Sequence, residues 1–141
     1  MCYPGFQGVF AEGLAALGRL TEALAAVEKA LAMADRGGER WFSVELMRIK
    51  AEILLDMDGN RSEAAAEAYF AGALELARQQ GALFWDLRAA MGMARLRVRQ
   101  GRPEDARQGL ALVYGRFTEG FETLDLKEAK GMLVQLQQVV L

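Results

Sequence analysis

Histidine is absent from all 141 residues, cysteine occurs once and proline twice. Without histidine the chain lacks the commonest general base and metal ligand near neutral pH. The lone thiol, Cys2, excludes an internal disulfide and cannot build a zinc site. Ser43 and Ser62, the only serines, have no base partner in the sequence and read as helix-start or surface residues. Phosphate-cradling patterns such as GxxxxGK[ST] and GxGxxG are missing, and Gly5, Gly8 and Gly13 fall where no strand is expected. No uncharged run approaches the roughly 18 residues of a membrane span, since the apolar tail GMLVQLQQVVL stops at 11. The opening MCYPGFQGVF lacks the basic leader of a secretory signal. These absences predict no catalytic centre, no cofactor, no metal and no membrane segment, in a chain of the reducing cytoplasm.

What is present is helical in character. Hydrophobic residues make up 52% and charged residues 26%, inside the globular range and enough for one domain with a sizeable core. The net charge of −2 is unevenly spread: residues 1–77 balance at −5 and residues 78–141 at +3. That asymmetry lacks the dense basic stripe of a nucleic-acid binder.

Glycine punctuation and apolar spacing predict helices in pairs. The hairpins are expected at about 6–36, 39–80 and 83–117, with a closing helix at about 124–139. Phe42, Leu46, Ile49 and Ile53 form one inward stripe, and Leu87, Met91, Ala94 and Val98 another. Pro103 suits a first helical turn, with Glu104 and Asp105 at its positive dipole end.

A repeat emerges from the second helix of each pair. Ala23, Val27 and Ala30 are matched by Ala66, Phe70 and Ala73, then by Ala106, Leu110 and Val113, at offsets of 43 and 40. Trp41 and Phe42 likewise precede Phe84 and Trp85 by 43 positions, which marks the tryptophans as packing between hairpins rather than as interface anchors. Small–large–small spacing lets a neighbouring helix approach while the large side chain fills the gap. Such pairs cannot bury their faces alone and must stack.

The pattern Gly–x4–Ala–x3–large–x2–Ala resembles the tetratricopeptide repeat, although the units are longer, no proline follows the second helices and Val113 replaces the last alanine. The resemblance implies an all-α, right-handed stack of antiparallel hairpins, about three repeats plus a capping helix. The strings ERWFSVELMRIKAEILL, GALFWDLRAAMGMARLRVRQGRPEDAR and YGRFTEGFETLDLKEAK are similar to the extreme C-terminal region of large bacterial signalling proteins. Those proteins carry a nucleotide cyclase domain, a STAND-type ATPase and then helical repeats. The resemblance covers about 39–136 and implies a non-catalytic regulatory part of such a protein.

The stretch FTEGFETLDLKEAK reads as a clasp. Phe117 continues the register of Val113, Gly120 permits a reversal at positive φ, and Phe121 folds back under the turn. Thr123 or Asp125 caps the next helix, Asp125 and Glu128 having capping-box spacing. Leu126, Ala129, Leu133, Leu136 and Val140 form the inward stripe of that helix.

One constellation suggests recognition. Arg88, Arg95 and Arg99 lie within about 20° of a common line on the fifth helix. In stacked hairpins the first helices line a groove, where this row could meet a carboxylate-bearing peptide; a solvated face offset by nearby acids is the plainer reading. The acids Asp56 and Asp58 are expected as solvated turn residues. The expected partner is a protein or peptide, and no nucleic acid. The alternative is a homodimer formed through Phe6, Val9, Phe10 and Leu14 of the first hairpin. A small enzyme or ligand carrier is the poorest fit, for want of convergent polar groups.

Overall fold

The computed structural model describes residues 4–37 and 42–140. Among these the chain is all-helical, without a strand. Seven α-helices follow in order: α1 Pro4–Ala16, α2 Leu20–Gly37, α3 Ser43–Asp58, α4 Glu63–Gln80, α5 Leu83–Arg99, α6 Pro103–Tyr114 and α7 Leu124–Val140. A 3-10 turn over Gly59–Ser62 leads into α4. Trp41 lies outside the described residues.

The turns repeat one device. Gly81 adopts φ +67°, which lets the Ala82 N–H reach back to the Ala77 carbonyl at 2.9 Å. The Arg19 N–H to Leu14 bond and the Arg102 N–H to Arg97 bond do the same after α1 and α5. Each satisfies a carbonyl that the helix end would leave unpaired, and each forces the chain to turn within two or three residues.

Consecutive helices pack on one another, and beyond these neighbours contact joins only α1 with α3, α3 with α5 and α5 with α7. The odd-numbered helices therefore form one row, bordered by even-numbered helices whose backbones do not approach one another among the described residues. The three triads supply the close packing: all nine side chains are at most 2% exposed. The core is a series of local clusters, with Val27, Leu46 and Ile53 early, Phe70 and Leu96 midway, and Leu87, Leu110 and Leu126 late. No described helix is long and apolar enough to cross a membrane.

Three details depart from expectation. Val98 is 47% exposed, so the inward stripe of α5 ends at Ala94. Asp125 lies inside α7 rather than ahead of it, and no capping box forms: Thr123 precedes the helix, its hydroxyl donating to the Gly120 carbonyl at 2.7 Å. Phe121 does not tuck under the turn. It is 43% exposed, with its ring 5.9 Å from that of Tyr114. The buried member of the clasp is Phe117, which meets Phe84 edge-on at 5.1 Å, while Gly120 takes φ +80°. Trp85 is half-buried and edge-on to Phe42 at 5.6 Å, bridging α5 to the start of α3.

Candidate functional site

The row of odd-numbered helices carries a continuous network of charge. At its centre is Arg48 of α3, 5% exposed. Its Nε and Nη2 donate to the two carboxylate oxygens of Glu45, both at 3.0 Å. Nη1 donates to Glu52 at 2.6 Å, and Nη2 also reaches Glu12 of α1 at 3.3 Å. A guanidinium suits this task because its planar fork serves several acceptors at once.

The network continues outward through the predicted arginines. Arg88 of α5 donates to Glu45 at 2.7 Å and lies 3.8 Å from Asp125 of α7. Arg95 donates to Glu128 of α7 at 2.7 Å and lies 3.8 Å from Glu52. The helix thus spends Arg88 and Arg95 on its two neighbours, and the acids that were expected to cap α7 hold it to α5 instead. Arg99 is exposed at the end of this row, and among the described residues it closes no ion pair. It borders a cleft of about 340 Å³ between α3 and α5, with Asp56 on the facing wall. Asp56 belongs to the last turns of α3 and is exposed; the side chain of Asp58 lies outside the described residues.

The spacing is that of the repeat. Glu45 and Arg88 are 43 positions apart, as are Glu52 and Arg95, so an acid in one unit faces a base in the next. Recurrence of opposite charge at the repeat period was the available sequence signal, and it was missed because the arginines were read along one helix only.

Burial sets the electrostatics. Desolvation by itself would lower Arg48, but its bonds to Glu45 and the charges of Glu52, Glu45 and Glu12 win and hold it well above its ordinary value. Desolvation pushes the Glu52 carboxyl up, against the pull of Arg48 and Arg95. A second buried acid, Asp86 near the start of α5, is also pushed up by burial, against Arg78 and Arg116. Its Oδ2 accepts from Arg116 at 2.9 Å, and its Oδ1 is a buried acceptor without a partner.

These shifts make stability depend on pH. Between the ordinary carboxylate values near about 4 and the raised values of Glu52 and Asp86, the folded chain holds protons that the unfolded chain has released. Stability therefore falls as pH rises through that window. Urea midpoints are expected to be higher at pH 5 than at pH 7, and Asp86→Asn removes part of the difference. Equal midpoints for the parent chain would contradict this assignment.

No protein family, no curated protein and no solved structure matches this chain.

Proposed function

We propose that this chain is a non-catalytic protein-interaction module, a tetratricopeptide-like right-handed stack of about three hairpins closed by α7. It serves as the C-terminal regulatory part of a bacterial cytoplasmic signalling protein that carries cyclase or ATPase segments. The observation that carries this reading is the row of α1, α3, α5 and α7, a single accessible face whose polar side chains are held in place by the Arg48 network. Fixed charges on a rigid row suit recognition of a peptide or helix, since little ordering remains for binding to impose. Arg99, exposed and without an ion-pair partner among the described residues, is the residue best placed to meet an incoming carboxylate.

The test uses the chain as bait in quantitative affinity capture, comparing the parent with an Arg95→Gln, Arg99→Glu variant. Arg88 is left intact because it compensates the buried Glu45. A specific partner should be depleted at least about tenfold by the variant, with helicity unchanged in circular dichroism. Undiminished capture would remove this face from the binding function.

One observation favours self-association as a second reading. Phe10 is 60% exposed and Leu17 75% exposed on the first pair of helices. Of the other residues expected there, Leu14 is turned into the core, and the side chains of Phe6 and Val9 lie outside the described residues. Light scattering at rising concentration separates the readings: a constant monomer mass argues against assembly.

A further inference from the structure

Because the backbones of α4 and α6 do not approach one another among the described residues, a groove runs between them over α5, on the side away from the charged row. An equivalent groove lies one unit earlier, between α2 and α4 over α3. The repeat allows the two to be compared position by position.

In the earlier groove, side chains cross the gap. Lys50 Nζ lies 4.4 Å from the centre of the Tyr69 ring and 3.5 Å from Glu28. One unit later the matching positions are Met93, Gly109 and Ala71, which cannot rebuild that bridge. At Gly109 an added Cβ would meet nothing within 4 Å. A mid-helix glycine costs roughly 1 kcal/mol relative to alanine, and here no packing requires it. The earlier groove keeps a space of about 540 Å³ edged by Glu28, Asp35 and Lys50, whereas the later one holds a smaller cleft of about 270 Å³ with Leu74, Ala90, Leu110 and Val113 among its walls. Leu112 stands 68% exposed at its edge.

The charge at the rim is also exchanged. Asp35 borders the earlier groove, and its match at the later one is Arg78. Arg97 and Arg102 stand near it, but each is engaged, the first by Glu67 and the second by Asp105 at 2.8 Å. Among the described residues Arg78 closes no ion pair, and its charge acts on the buried Asp86 without outweighing the effect of burial there. The volume is below the roughly 300–1,000 Å³ of typical small-molecule sites. It is of the scale that accepts a single anchoring side chain from a protein partner.

We propose that this outer cleft receives one large apolar side chain, phenylalanine or leucine, from a partner segment whose flanking residues are acidic. The apolar walls take the side chain, and Arg78 pairs with a neighbouring carboxylate. The site is separate from the charged row, so the two can be tested independently.

The probe is the acetylated and amidated pentapeptide EEFEE, titrated into the full chain and followed by amide chemical shifts. Shifts are expected at Leu74, Arg78, Met93 and Leu112, with EEAEE and KKFKK binding at least tenfold more weakly. Gly109→Leu fills the cleft from an open position and should reduce EEFEE binding at least tenfold with helicity retained. Arg78→Gln, on the surface, should weaken EEFEE without weakening KKFKK. Arg99→Glu, on the opposite side, should bind EEFEE as the parent does. The proposal is overturned by any of three results: no shift at millimolar peptide, equal binding of EEFEE and KKFKK, or full EEFEE binding by both Gly109→Leu and Arg78→Gln.

Discussion

Arg48→Met is expected to lower the unfolding free energy by about 3–5 kcal/mol at neutral pH, the scale for leaving buried charge uncompensated. The guanidinium faces three carboxylates, Glu12, Glu45 and Glu52, and both it and Glu45 are buried. Without it Glu45 keeps Arg88 and Glu52 keeps the more distant Arg95, but two acids on one helix face then repel each other in a partly dry setting. The loss should shrink on acidification, because burial favours the protonated form of Glu52. Urea unfolding at pH 7 and pH 5 measures both effects. Adding Glu45→Gln and Glu52→Gln to the variant should recover part of the stability, since it replaces unpaired charge with neutral groups of similar shape. A loss below about 1 kcal/mol would place the cluster among ordinary solvated ion pairs.

Gly92→Ala is the second large effect, expected to cost about 2–3 kcal/mol even though alanine is the better helix former. An added Cβ would lie 2.3 Å from Phe70 Cε1 and 2.8 Å from Cζ. The Phe70 ring is fully buried within the α4 triad, and the space beside it is the cleft between α3 and α5 that it borders together with Gly92. Gly72 makes the informative comparison. Its added Cβ would lie 2.4 Å from Met47 Cε, a nearly identical overlap, but with the free end of a flexible chain. Gly72→Ala should therefore be neutral or slightly stabilising. Thermal melts of the two variants distinguish a rigid obstacle from a yielding one. Phe70→Leu should relieve part of the Gly92→Ala penalty. Similar melting temperatures for Gly92→Ala and Gly72→Ala would mean that Phe70 moves as easily as a methionine.

Helix pairing was legible because it rests on local chemistry. Gly18, Gly81 and Gly101 end or follow helices as achiral residues at positive φ, and the alanine triads mark faces that must approach closely. The charged row was legible only in part. Arg88 and Arg95 could be placed on one helix stripe, but which acids they meet depends on the side-by-side register of α3, α5 and α7, which no single-helix pattern contains. Arg48 was overlooked for the same reason: a base among acids on an amphipathic helix usually faces water, and its burial follows from being enclosed by helices distant in sequence. The clasp before α7 was read as a turn, yet its buried contact, Phe84 against Phe117, joins residues 33 positions apart. The outer cleft left no positive mark in the sequence, because Gly109 shapes its wall by having no side chain.

The exchange of acid for base at a period of 43 also gives the array a grammar. Glu45 and Glu52 dock against Arg88 and Arg95, so the second hairpin accepts the third as its successor but would reject a copy of itself, whose acids would confront its own. The order of these two modules is thus written in the sign of two side chains at their junction. A recombined protein with the middle hairpin duplicated in tandem would meet an electrostatic veto at that junction, even with its hydrophobic surfaces fully matched.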